Sequence, residues 1–390
     1  MSLSAEKRVR LVSLLIVAGL VAGCATAPAP PAPDPLLVDR LFAPPREAID
    51  ADAVFALSDA MRRYLEVDIA AQLRSEGAQS GLMRALYEKA QLKLEYDAAR
   101  TKNAAATFET RTGNCLSLVI MTAALAKELR VPVSFDSAYL DESWSRTGNL
   151  LISSGHVNIT LGRRAADAKT ARERPPMTID FLPPEEVSGL RRREVGEATV
   201  VAMYANNRAA EALADGRLDD AYAWAATSVR RDPGFTGAYN TLGVVYLRHG
   251  DLAEAERAFA RVLAADAKDT RALANLAEAY ARAGRAADAE ATRRRLAAIE
   301  THPPFYFFDL GMAAIERGDW RGARDLFARE VARADAYHEF HFWLGLADWR
   351  LGEESAAMRQ LALAMNNSLT RDQHRLYAAK LAWLQAHRQP

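Results

Sequence analysis

Two architectures in one chain are predicted: an α+β region over residues 36–196, then an all-α solenoid of helical hairpins from residue 197. Three observations lead there. Gly216, Gly250, Gly284, Gly318 and Gly352 recur every 34 residues. Ala221, Ala255, Ala289, Ala323 and Ala357 follow each of those glycines by five residues, and the position seven before each glycine is small: Ala209, Gly243, Ala277, Gly311 and Gly345. Residues 36–196 lack this period and pass from helical spacing into strand-like alternation.

Taken in order, Leu36 to Arg100 has helical apolar spacing, broken near Pro44-Pro45 and between Gly77 and Gly81. Leu116 to Leu129 is a strongly apolar stretch of helical length. Strands are predicted after Pro132, at Val133 to Leu140, Leu150 to Leu161 and Met177 to Phe181. Helices followed by strands read as α+β. Trp144, in Asp-Glu-Ser-Trp-Ser, is expected in a polar loop, where it would either border a slot or cover the edge of the core. The junction at Arg191 to Glu197 is charged rather than glycine-rich, so docked domains are expected.

The periodic part has a physical reading. Each unit is two antiparallel helices; the glycine permits the turn, and the small positions let the helices approach closely. Leu242, Leu276, Leu310 and Leu344 precede the small position in four of the five units. This pattern resembles the tetratricopeptide repeat, with five repeats over 197–370 and a capping helix over 371–390 carrying Leu376, Leu381 and Leu384. The resemblance implies a protein or peptide partner. Repeat 1 departs from the pattern at Arg208 and Ala212, as end units do when they dock on a neighbour. Pro233 has no counterpart in later units. Phe305, Tyr306, Phe307, Phe308, Trp320, Phe340, Phe342, Trp343 and Trp349 concentrate late in the array. A peptide groove and the core between repeats 4 and 5 are both open to them; their place in the first helices favours the core.

The first residues carry Lys7, Arg8 and Arg10, then the apolar run Leu11 to Val21, then Val21-Ala22-Gly23-Cys24. That run is too short for a stable membrane span. The segment resembles the lipobox of bacterial lipoproteins. The resemblance implies removal of residues 1–23, lipidation of Cys24 and anchoring in a membrane. Ala25 implies the outer membrane, facing the periplasm. Residues 24–35, with Pro28, Pro30, Pro31, Pro33 and Pro35, read as an extended tether. Half of the residues are hydrophobic and the formal net charge is +0. No basic block resembles a nucleic-acid footprint, so nucleic acid is not expected as a partner.

Beyond Cys24 the one thiol is Cys115, which has no partner for an internal disulfide. It follows Gly113-Asn114 at the predicted start of the apolar helix, where free N–H groups and the positive dipole end stabilise a thiolate or an oxyanion. His156 lies in the alternating run Ser-Gly-His-Val-Asn-Ile-Thr-Leu, and Asp180 on the next apolar strand. Each also fits a plain role: a small buried thiol, a satisfied strand histidine, a turn-capping aspartate.

Tyr96-Asp97, Thr101, Ala104 to Phe108, Arg111, Gly113-Asn114-Cys115-Leu116-Ser117 and then the His and Asp strands resemble the bacterial transglutaminase-like fold, which is papain-like. The resemblance implies Cys115 as nucleophile, His156 as general base and acid, and Asp180 as the group orienting the ring. It implies a thiol enzyme that hydrolyses or transfers carboxamide or peptide bonds through a thioester, without a cofactor. One Cys, one His and one Asp give no metal spacing. The competing expectation is a non-catalytic scaffold lipoprotein whose first domain is a platform.

Overall fold

A computed structural model describes residues 34–87, 92, 94–138, 144–147, 150–153, 156–162, 175–181, 192–302 and 305–386. The segment expected to be an export signal, Cys24 and most of the expected proline-rich tether lie outside these residues. The described residues up to Val38 belong to one unit, in which Asp34 accepts hydrogen bonds from the N–H groups of Leu36 and Leu37. Residues 39–390 form the other.

The second unit opens with short helices. These are α1 (Asp59–Arg63, extended by a wide turn through Asp68), α2 (Ala70–Glu76) and α3 (Ala78–Tyr87). Gly77, at φ 82°, makes the expected break between α2 and α3, whereas Gly81 lies within α3. Next come β1 (Glu95–Tyr96), α4 (Ala104–Thr110), β2 (Thr112–Gly113) and α5 (Cys115–Glu128). Helix α5 is buried on nearly every side, from Leu116 to Ala126.

The strands are β3 (Val133–Ala138), β4 (Trp144–Thr147), β5 (Leu150–Ser153), β6 (His156–Leu161), β7 (Met177–Ile179) and β8 (Arg192–Val195). A four-stranded sheet has the order β7-β6-β3-β8, with all pairs antiparallel. Phe135, Val157, Ile159, Leu161, Ile179 and Val195 supply its buried apolar residues, and α5 packs on β6. Two expectations are corrected, and one strand was not anticipated. The stretch from Leu150 to Leu161 is two strands, because β5 turns back to pair with β4 while β6 joins the main sheet. Trp144 opens β4 rather than lying in a loop. The charged junction forms β8, an edge strand in which polar side chains meet water.

The periodic region is all helix. Repeat 1 is α6 (Glu197–Ala214) and α7 (Leu218–Arg231); repeat 2 is α8 (Thr236–His249) and α9 (Leu252–Ala265). Repeat 3 is α10 (Thr270–Arg282) and α11 (Ala286–Ile299), and repeat 4 is α12 (Tyr306–Glu316) and α13 (Trp320–Arg333). Repeat 5 is α14 (His338–Arg350) and α15 (Glu354–Asn366), followed by α16 (Arg371–Ala386). The five periodic glycines all adopt positive φ, between 74° and 103°, at the turns within the repeats. Phe305, Phe308, Phe327, Phe340 and Leu344 form a core cluster, which assigns most of the late aromatics to packing.

The atypical first repeat is explained by what covers it. Arg208 pairs with Glu47 at 2.9 Å and with Glu211 at 3.1 Å. Glu47 also accepts from Trp224 Nε1 at 2.5 Å. Asp220, 1% exposed, accepts from the backbone N–H of Arg46 at 2.6 Å and from Arg217 at 2.6 Å. Phe42 stacks on Tyr222 with ring centroids 4.0 Å apart. The segment before α1 thus docks on repeat 1, satisfying buried charges that would otherwise be costly.

Candidate functional site

The mount of Cys115 is built by its neighbours in sequence. Helix α4 ends at Arg111, which takes a left-handed conformation at φ 54° and turns the chain into β2. Strand β2 pairs in parallel with β1, in the register Glu95↔Thr112 and Tyr96↔Gly113. Gly113 must lack a side chain, since a Cβ there would stand 2.7 Å from Cβ of Ser117. Asn114 then caps α5: its Oδ1 accepts from Ser117 N at 2.9 Å and from Ser117 Oγ at 2.8 Å. Its Nδ2 donates to Thr101 Oγ1 at 2.9 Å. Ser117 Oγ in turn accepts from Lys102 N at 2.9 Å.

Cys115 is therefore the first residue of a capped helix, free and half-buried. The cap uses the N–H of Ser117, and Leu118 N donates to Asn114 O. This leaves the N–H groups of Cys115 and Leu116 without an acceptor among the described residues. A helix start in this condition is disposed to receive negative charge.

His156 is the first residue of β6, in register with Ala138; its ring lies outside the described part of the structure. The lengths of the elements decide which end of α5 it is near. Fourteen residues of α5 rise about 21 Å. A short connection returns the chain into β3, whose six residues span about 20 Å. The end of β3, and with it His156, therefore lies at the Cys115 end of the helix.

Asp180 follows β7 directly instead of lying within it, since the pairing ends at Ile159↔Ile179. The register places Asp180 one strand over from His156 and two residues along. Its Oδ2 is 3.8 Å from Arg192 of β8, so a guanidinium that sequence reasoning did not anticipate shares this sheet end. The backbone thus brings Cys115, His156 and Asp180 to one end of the α5–sheet unit. Among the described residues, no group of three or more His, Cys, Asp or Glu is placed to hold a metal ion.

Asn158 was also missed. It is 0% exposed, and neither its Nδ2 nor its Oδ1 has a hydrogen-bond partner among the described residues. A buried unsatisfied amide is costly, and its position between His156 and Thr160 makes it part of this region. The alternation of β6 puts Asn158 on the face of His156 and Thr160, opposite Val157, Ile159 and Leu161, so its burial had no signal in the sequence.

The segment bearing β1 joins this site to the repeats. Arg100 pairs with Asp215 at 2.8 Å, and Thr101 N donates to Glu211 Oε1 at 2.6 Å, both in repeat 1. Burial pushes Glu211 up from the ordinary carboxylate range, against the pull of that N–H and of Arg208. Ala98 N donates to Leu369 O at 2.9 Å, and Glu95 pairs with Arg371, at the junction of α15 and α16. Residues 95–101 therefore touch both ends of the repeat array and also the Cys115 mount.

Similarity to known proteins falls on the repeats. Family models described as tetratricopeptide repeat match residues 212–274, 246–304 and 308–365. No curated protein matches the chain. Among solved structures, a thermophilic tetratricopeptide protein of Thermus thermophilus is 18% identical, at TM-score 0.31, over 46% of this chain and 99% of its own. YrrB, titled a TPR protein with an unusual peptide-binding site, is 19% identical at TM-score 0.25, over 46% and 92%. PilF of Pseudomonas aeruginosa is 17% identical at TM-score 0.26, over 48% and 93%. The C-terminal region of this chain is an all-helical tetratricopeptide-repeat solenoid.

Proposed function

We propose that the chain is a lipid-anchored scaffold of the outer membrane, facing the periplasm, whose repeats hold a protein or peptide partner. The tetratricopeptide solenoid carries this reading. Its first helices offer carboxamides one period apart, at Asn206 and Asn240, and Asn275 Nδ2 donates to Asn240 Oδ1 at 3.1 Å. A carboxamide offers donor and acceptor together, which suits the backbone of a bound peptide.

The test is capture of envelope proteins on immobilised residues 25–390. Asn240→Ala with Asn275→Ala should reduce recovery of a partner about tenfold, while Cys115→Ala leaves it intact. A partner indifferent to the asparagines but lost with Cys115→Ala would refute the scaffold reading. In cells, Cys24→Ala should move the protein from the membrane fraction to the soluble one; an unchanged distribution would rule out the lipid anchor.

A second reading is favoured by one observation, the half-buried Cys115 at a capped helix start. In it, the region over 36–196 is a transglutaminase-like thiol enzyme with Cys115 as nucleophile, His156 as base and Asp180 orienting the ring. Iodoacetamide should then alkylate Cys115 rapidly well below the free-thiol pKa of about 8.5, and His156→Ala should slow it. An ordinary thiol profile in both proteins excludes this chemistry.

A further inference from the structure

A tetratricopeptide array is quasi-one-dimensional: each repeat touches only its neighbours, so its two ends are ordinarily independent. Here one short strap holds both. At the repeat 1 end, Thr101 N donates to Glu211 Oε1 and Arg100 pairs with Asp215. At the far end, Ala98 N donates to Leu369 O at 2.9 Å and Glu95 pairs with Arg371.

The same strap supports the mount of Cys115. Glu95 N donates to Arg111 O at 2.9 Å, and Asp97 N to Gly113 O at 3.0 Å. The N–H groups of Asp97 and Ala98 are consecutive, so one peptide step separates the bond to the mount from the bond to the array. Drawing Leu369 away from the mount by about 1 Å takes one of the two beyond hydrogen-bond length.

Both flanks of this step are stiff. Leu369 is tied to the first turn of α16: Gln373 Oε1 accepts from Leu369 N and Thr370 N at 3.3 and 3.2 Å, and Thr370 Oγ1 accepts from Gln373 N at 3.2 Å. Gly113 is packed against Ser117, the residue through which Asn114 caps α5. The two ends of the strap are unequal, however. Thr101 is 2% exposed, whereas the side chains of Glu95 and Arg371 are 60% and 58% exposed. An exposed ion pair is the weaker tie, so the contact at α16 opens first.

We propose that residues 95–98 are a latch between the far end of the repeat array and the mount of Cys115. Closed, the latch holds the start of α5 and the half-buried thiol; open, it frees both. A partner that changes the curvature of the array draws the junction of α15 and α16 away from the mount and so exposes Cys115. What moves the array rests on the scaffold reading. The latch itself is tested without a partner, so the two ideas fail separately.

The measurements are the rate of Cys115 alkylation by iodoacetamide and amide exchange over residues 95–98 and 112–117, in the full chain carrying Cys24→Ala. Glu95→Lys and Arg371→Glu should each speed both at least about threefold. The double variant restores the pair with its charges exchanged and should return both to the wild-type values. Charge alone would shift the thiol in opposite directions in the two single variants. Tyr377→Ala loosens α16 from His338 and Phe342 without touching strap or mount. It should speed alkylation by itself and add nothing to Arg371→Glu. Arg375→Glu breaks an exposed pair with Asp372 on the same helix and should leave Cys115 unchanged.

Single variants without effect, opposite shifts in the two, or a double variant that stays fast overturn the proposal. Exchange that quickens at 95–98 alone, with 112–117 and the thiol unaffected, also overturns it, since the strap is then a tie without consequence at the mount. Tyr377→Ala that leaves Cys115 unchanged, or that adds to Arg371→Glu, overturns transmission through the latch.

Discussion

Acidification should release the C-terminal helix through one histidine. His338, 6% exposed, is hydrogen-bonded through Nδ1 to the hydroxyl of Tyr377 on α16 at 2.8 Å. Burial pushes the imidazole down from 6.5 to about 4. A group whose folded pKa lies below its unfolded value stabilises the fold fully above 6.5. That stabilisation is lost as pH falls toward 4. The gap between the two values corresponds to about 3 kcal/mol at roughly 1.4 kcal/mol per unit, more than a hundredfold in the docking equilibrium. Tyr377 also stacks on Phe342, and Trp383 meets Trp349 edge-on at 5.8 Å, so tryptophan fluorescence reports the contact. Denaturant titrations of α16 docking at pH 7, 6, 5 and 4, in the wild type and His338→Phe, isolate the histidine from neighbours such as Glu339. The difference between the two proteins should change by about 3 kcal/mol across that range. A change below about 1 kcal/mol would show that the imidazole is not held neutral by burial, and the reasoning would fail.

Three further outcomes follow from the packing. Asp220 is held below the ordinary carboxylate range because Arg217 and two backbone N–H groups outweigh the opposing effect of burial. Asp220→Asn should cost about 2–4 kcal/mol, and the wild-type contribution should persist above the unfolded carboxylate pKa of about 3.9 and fade below it, as urea midpoints would record. Gly113→Ala must displace Ser117 from the Asn114 cap. It should lower stability by about 1–3 kcal/mol and alter the alkylation rate of Cys115; an unchanged melt would refute the contact. Asn158→Leu removes two buried polar atoms that have no hydrogen-bond partner among the described residues, so thermal unfolding should show a gain of about 1 kcal/mol. A loss would mean that the amide has a partner in solution.

Much of the repeat region was legible because its determinants are local and recur. A glycine at each turn and a small residue at each crossing are dictated by backbone conformation and interhelix distance, and both are visible as columns. The start of α5 was legible for the same reason, because a cap is written in four consecutive residues, Asn114 to Ser117. The strands were read less well. Leu150 to Leu161 is expected as a single strand although Ser153-Ser154-Gly155 interrupts its pattern; β5 and β6 pair with different partners, and alternation carries no information about which strand lies alongside. Trp144 is another such case: its flanks are polar, and pairing with β5 makes it part of a strand.

The sequence by itself determined the repeat period, the helical hairpins, and the capped helix start that carries Cys115, since each depends on contacts within a few residues. Only the tertiary structure decided that His156 and Asp180 reach the same end of that helix, and that residues 95–101 touch both ends of the array. It also decided that Leu310, alone in its column, is left uncovered. These depend on register and on the neighbour supplied by distant chain, which no short stretch of sequence encodes.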